Sequence, residues 1–299
     1  MIDRRGFLIA AGSLGALTTL GRAHAAGGSD ADFAATLARL EAGSGGRLGV
    51  GLLDTATGVV RGHRLDERFP LCSTFKVLAA GLVLSRVDQR REQLDRRVHY
   101  QQQDLVTYSP ATEKHVADGM TMAELCAAAI TLSDNTAGNL LLASFGGPAE
   151  LTAFARRLGD DVTRLDRIET ELNEARPGDP RDTTSPRAMA EIIRKLALGD
   201  VLAPASRDQL IAWLKANTTG ATRLRAAVPR DWIVGDKTGT GDNGTANDVA
   251  VMWPPQRPPV IVTVYLTGAT VAREQQNAII AAAGAAAVAV YSIKDVAPR

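Results

Sequence analysis

Several things are scarce in this chain of 299 residues, and each scarcity removes a class of function. It has two cysteines, Cys72 and Cys126, too few for a disulfide scaffold. It has four histidines and neither a CxxC nor an HExxH spacing, so no metal and no cofactor is expected. Lysine and arginine (34) nearly balance aspartate and glutamate (33), which leaves no electrostatic case for nucleic acid or a membrane surface. The apolar run Phe7 to Leu20 is too short for a comfortable membrane span. There is no internal repeat and no low-complexity linker. With 45% hydrophobic residues the composition is that of a globular protein, and the length allows one large domain or two interleaved lobes.

Residues 1–25 read as an export signal. Arg4-Arg5 precede the apolar run, and Ala23-His24-Ala25 places small residues at a cleavage site. Arg4-Arg5-Gly6-Phe7-Leu8 resembles a twin-arginine signal, with a general secretory signal as the alternative; either sends residues 26–299 out of the cytoplasm. From Asp30 to Ala42 the spacing of Phe33, Leu37 and Leu40 predicts an amphipathic helix. Arg47–Leu53 and Val59–His63 read as strands around the turn 54–58. A mostly helical region runs from Ser73 to about Lys215. Within it Thr121 and Glu124 form a capping box, and Ser185-Pro186 opens a helix ending near Gly199. Trp232–Lys237, Ala246–Trp253 and Val260–Leu266 read as strands and Arg273–Tyr291 as an alanine-rich helix. Strands at both ends with helices between predict an α/β (α+β) fold. It has an antiparallel sheet built from both chain ends, about 26–71 and 221–299, and a helical lobe over about 72–220.

Four short motifs stand out. Ser73-Thr74-Phe75-Lys76 is followed by Val77 to Leu84, apolar on every face and so expected to form a buried helix. Ser73 and Lys76 then lie about one turn apart on the same side. A serine hydroxyl is a poor nucleophile until its proton is taken, and a desolvated lysine can help to take it. The others are Ser133-Asp134-Asn135, Glu169-Thr170-Glu171-Leu172-Asn173 and Lys237-Thr238-Gly239. Singly each has a plain explanation. Ser133-Asp134-Asn135 could be a helix cap, Lys237–Gly239 a strand end entering the turn 241–244, and Glu169 a solvated acid. Average residue usage gives roughly one SxxK per chain of this length, but all four in order come out by chance on the order of one in ten thousand.

With these four motifs the chain closely resembles the class A serine β-lactamases from about Arg47 to the C-terminal helix. The resemblance implies a five-stranded sheet and hydrolysis of a small-molecule β-lactam through an acyl-enzyme on Ser73, and nothing in the sequence suggests more than a monomer. It implies that Lys76, or Glu169 through a water, takes the Ser73 proton. Ser133 would pass a proton to the departing nitrogen, kept in position by Lys237. Asn135 would bind the substrate's side-chain amide, and the backbone N–H groups of Ser73 and Thr240 would form the oxyanion hole. Glu169 with Asn173 would hold the deacylating water. Arg223, beside Thr238, Gly239 and Thr240, matches a source of the arginine that binds the substrate carboxylate, and Tyr108 an aromatic wall at the mouth. Arg167 and Asp182 match the ion pair that closes the loop 164–182, a functional loop of the Ω type.

The chain departs from its relatives in places. Thr170 stands where many have proline after the glutamate; the resemblance implies a cis peptide there. Ala80 and Gly241 stand where partner cysteines occur in some branches, so Cys72 and Cys126 are expected to be free. Ala246 replaces another branch's arginine. His63, His99 and His115 have no motif partners and are expected at the surface or in structural roles. The alternatives are a D-alanyl-D-alanine peptidase, which lacks the Glu169 and Asn173 pair, and a β-lactam sensor that stays acylated.

Overall fold

In the computed structural model, residues 29–293 are described; the export signal expected over residues 1–25 lies outside them. Helix α1 (Asp30–Ser44) starts from a capping box in which Ser29 and Asp32 satisfy each other's backbone N–H. β1 (Arg47–Asp54) and β2 (Val60–His63) form an antiparallel hairpin with Val50 opposite His63. After β3 (Phe69–Pro70) the chain makes one 3₁₀ turn, Cys72–Thr74, and enters α2 (Phe75–Asp88). Every residue of α2 from Phe75 to Ser85 is buried, as the apolar run Val77–Leu84 requires, and Lys76 is buried along with it. β4 (Arg97–Val98) pairs with β5 (Met120–Thr121), which leads into α3 (Met122–Thr131), α4 (Asn135–Phe145) and α5 (Pro148–Arg157). A long loop ends at β6 (Thr183–Thr184), paired with β3, and α6 (Pro186–Ala197) and α7 (Pro204–Lys215) follow. The chain closes with β7 (Ile233–Gly241), β8 (Thr245–Trp253), β9 (Val260–Thr267) and α8 (Arg273–Ile293).

The main sheet has the order β2-β1-β9-β8-β7 with every neighbour antiparallel. β1, from the start of the chain, lies beside β9, from its end, as expected. Side chains alternate across the sheet. Leu48, Val50, Leu52, Ala250, Met252, Val262 and Val264 share a core with residues of α1 and α8. Leu53, Val249, Val251, Ile261 and Tyr265 share the other core, which runs through α2 into the helical lobe. The site lies where β7, the edge strand, meets that lobe.

Two boundaries differ from the sequence expectation. β7 runs to Gly241 rather than stopping at Lys237, so Lys237–Gly239 is the middle of a strand and not its end. Hydrophobicity fades after Val234, but backbone pairing with β8 continues to Gly241 opposite Thr245. Ser73 lies in the 3₁₀ turn that precedes α2 rather than in the helix itself.

Candidate active site

The 3₁₀ turn lifts Ser73 over the start of α2, with Cys72 at φ 44°. Ser73 Oγ donates to Glu169 Oε1 (3.1 Å) and accepts from Lys76 Nζ (3.0 Å). Lys76 is fully buried, and its Nζ also donates to Ser133 O (2.9 Å) and Asn135 Oδ1 (2.8 Å) and lies 3.0 Å from Glu169 Oε1. Gly138 of α4 makes room for it, since a Cβ there would stand 2.8 Å from Lys76 Cε. Burial pushes the Lys76 ammonium below its ordinary range, and the Glu169 carboxylate opposes that shift.

The opposite wall begins at Ser133 (φ 60°), just before α4. Asp134 caps α4 through Ala137 N (2.8 Å) and also accepts from the backbone N–H groups of Ala111 and Thr112, both 2.9 Å. Lys237 Nζ crosses from β7 to donate to Ser133 Oγ (2.9 Å) and to Thr238 O (2.7 Å). It too is fully buried, and burial with the nearby Lys76 charge pushes its ammonium well down. Asn135 Nδ2 donates to Thr107 O (2.9 Å), which fixes its amide.

The floor is the loop 164–182. Asp182 is buried, and its carboxylate accepts from Arg167 Nε (2.6 Å), Arg167 N (2.9 Å) and Asp166 N (2.7 Å). Arg167 also reaches Glu174 Oε2 (2.6 Å). The Glu169–Thr170 peptide is cis. Asn173 Nδ2 donates to Glu169 Oε2 (2.5 Å), so the two expected partners meet. Gly241 lets β7 lie against this loop and the Cys72–Thr74 turn together: a Cβ there would stand 2.7 Å from both Asn173 O and Cys72 Sγ.

These walls enclose a cleft of about 370 Å³, within the range of small-molecule sites. Ser73, Tyr108, Ser133, Asn135, Asn173, Thr219, Arg223, Thr238, Gly239 and Thr240 line it, while Lys76, Glu169 and Lys237 stand behind. Tyr108 is 57% exposed, at φ 66°, on the rim. Arg223 is buried, its Nη2 donating to Thr240 Oγ1 (2.9 Å) and its Nη1 to Gly239 O (2.8 Å) and Asn247 O (2.7 Å). Cys72 and Cys126 are free and buried, and burial raises both thiols. His63 Nε2 meets the Glu41 carboxylate, away from the cleft.

Residues 32–291 match the model of the β-lactamase enzyme family. β-Lactamase CTX-M-8 of Citrobacter amalonaticus is 52% identical over 252 residues, 84% of this chain and 87% of the relative. The chain belongs to the class A β-lactamases. The crystal structure of PenP from Rhodopseudomonas palustris, described as a candidate class A β-lactamase, is 77% identical with a TM-score of 0.85, covering 86% of this chain and 98% of that one. An ancestral class A β-lactamase superposes with the same TM-score at 65% identity and the same coverage of both chains.

Two features of this class A β-lactamase escaped the motif reading. Asn139 brackets Glu169: its Oδ1 accepts from Glu169 N and its Nδ2 donates to Glu169 O, both at 2.8 Å. Its place four residues after Asn135, on the same face of α4, was the available signal. Thr219 lines the cleft and shares a 2.5 Å hydrogen bond with the Thr238 hydroxyl. Nothing in its sequence context marked it.

Proposed function

We propose that the enzyme opens the amide of penicillins and cephalosporins through an acyl-enzyme on Ser73 and then hydrolyses it. The observation that carries this reading is the position of Ser73 Oγ, within 3.1 Å of both Lys76 Nζ and Glu169 Oε1. Ser73 Oγ attacks the lactam carbonyl carbon, and its proton passes to Lys76 or Glu169; the contacts serve either base. The carbonyl oxygen takes the negative charge between the backbone N–H groups of Ser73 and Thr240. As the C–N bond breaks, Ser133 gives its proton to the nitrogen, oriented by Lys237. Water activated by Glu169 and Asn173 then attacks the ester, returning Ser73 and releasing the opened acid. Arg223, acting through Thr240 with Thr238, receives the substrate carboxylate, Asn135 its side-chain amide, and Tyr108 packs at the mouth.

The Glu169–Asn173 contact at 2.5 Å favours a hydrolase over a peptidase or sensor that stays acylated. The catalytic unit is one domain from about residue 26, working as an exported monomer. No helix among the described residues is long and apolar enough to cross a membrane. Steady-state hydrolysis of benzylpenicillin and a cephalosporin by the wild type and Ser73→Ala tests the reading. Turnover in the wild type and none in the variant is expected. Release of D-alanine from a D-alanyl-D-alanine peptide without β-lactam turnover would overturn it.

A further inference from the structure

On the sheet face opposite the Lys237 side chain, two carboxylates are packed together. Asp236 immediately precedes Lys237 on β7, and Asp248 lies on β8 opposite Thr238, so alternation puts both on the α8 side. Both are fully buried. Asp236 accepts from Arg225 Nε and from Asn217 Nδ2 (2.5 Å). Asp248 Oδ2 accepts from Leu224 N (3.0 Å), while its Oδ1 has no N–H or hydroxyl donor. Register sets the two diagonally across β7 and β8 on one face, where, sealed from water, the Asp236 charge raises the proton affinity of Asp248.

Cations are too few here for two charges. Arg225 is committed to Asp236 and to the carbonyls of Leu214 and Lys215. Arg223 is close but spends its N–H groups on Gly239, Asn247, Thr240 and Asn277. Arg273, which donates to Thr245 O, faces Arg223 from α8. Lys237, with Lys76 and Glu169 beyond it, belongs to the other face.

We propose that Asp236 and Asp248 share one proton at neutral pH and act as a positioning pair that sets a single negative charge behind Lys237 and holds its strand. Two ionised carboxylates in a sealed site repel, and each has lost the water that would screen it. Burial pushes both carboxyls up, Asp248 far up, with the Asp236 charge adding to the effect. The remaining charge pairs with Arg225 and opposes the burial and the Lys76 charge that drive the proton off Lys237. The shared proton is independent of any catalytic assignment; the service to Lys237 rests on the role proposed for that residue.

The proton is read from stability. A pair that titrates higher when folded takes up a proton on folding, so its contribution is present at acid pH and is lost as pH rises towards the folded value. Lys76 and Lys237 titrate lower when folded and contribute the opposite slope, so wild type and variant are compared by difference. Urea unfolding of Asp248→Asn from mildly acidic to mildly alkaline pH should show the wild type losing ground by up to about tenfold in the unfolding constant per pH unit. Parallel profiles would overturn the shared proton. Infrared spectroscopy of the unmodified enzyme gives a check that needs no variant: a protonated carboxyl C=O band at neutral pH that fades at alkaline pH is expected, and its absence contradicts the proposal.

The charge is read from catalysis. With Asp236→Asn and Asp248→Asn combined, Lys237 loses its rear counter-charge, so the alkaline limb of kcat/KM for benzylpenicillin should move to lower pH. An alkaline limb unmoved, with wild-type turnover intact, would refute the positioning role while leaving the reaction assignment standing.

Discussion

At the level of single residues, the proposed turnover depends on the oxygens around Glu169. Removing its negative charge by Glu169→Gln should slow deacylation by about 10²–10⁴-fold, the usual worth of a placed general base. An equal fall in acylation would make Glu169 the base in both halves, whereas a small one would leave that step to Lys76. Asn139 touches no substrate-facing atom, yet it holds both backbone groups of Glu169. Asn139→Ala should therefore cost about 1–3 kcal/mol for each buried group left unpaired and slow deacylation while acylation continues. Wild-type adduct lifetimes in that variant would show that Asn139 does not position Glu169. That Ser73, Lys76, Ser133, Glu169 and Lys237 gather at one cleft was legible because four short motifs fix their residue types and spacing. Asn139 and Asp248 were not, because each acts through a tertiary contact that no local pattern marks. The left-handed backbone at Cys72, Tyr108, Ser133 and Asp182 was equally silent, since none of the four is glycine.

At the scale of elements, the loop 164–182 is shaped from its ends inward. Arg167 pairs with Asp182 across its ends, and Asp182 also accepts from two backbone N–H groups, so one carboxylate holds the ion pair and the chain turn together. Asp182→Asn should lower the urea midpoint and lengthen the benzylpenicillin adduct lifetime more than it slows adduct formation. An unchanged lifetime would separate the clip from Glu169. The length of β7 could not be read from hydrophobicity, because Lys237 to Gly241 holds only lysine, threonine and glycine. Lys237, Thr238 and Gly239 are buried where the strand packs on the Cys72–Thr74 turn and the loop, and Gly239 and Gly241 leave the room for it.

For the whole molecule, α2 ties the site to the larger core. Leu78 is fully buried there, and Leu78→Ala should cost about 2–5 kcal/mol, lowering Tm by roughly 2–4 °C for each kcal/mol. A smaller loss would mean that the lobe relaxes around α2. Ion pairing spread over the surface sets the acid limit. Hydrogen bonds from Arg64 hold Glu41 below its usual range, Arg96 does so for Glu92, Arg164 for Asp166, and Arg181 brings Asp179 to about 2. Folded values below unfolded ones give stability that is present above the ordinary carboxylate range and lost as pH falls through the folded values. As these carboxylates protonate, the Tm should thus drop below about pH 4. The order of strands and helices was legible from the switch in periodicity. The two-residue pairings β3–β6 and β4–β5 were not, being too short to leave a pattern.

The most direct test of the central claim is intact-mass spectrometry of the enzyme mixed with excess benzylpenicillin, sampled from milliseconds to an hour. A short-lived adduct on Ser73 with opened product in excess is predicted, and in Glu169→Gln the same adduct should persist. An adduct that lasts the whole hour in the wild type, or product without any adduct, would contradict the account.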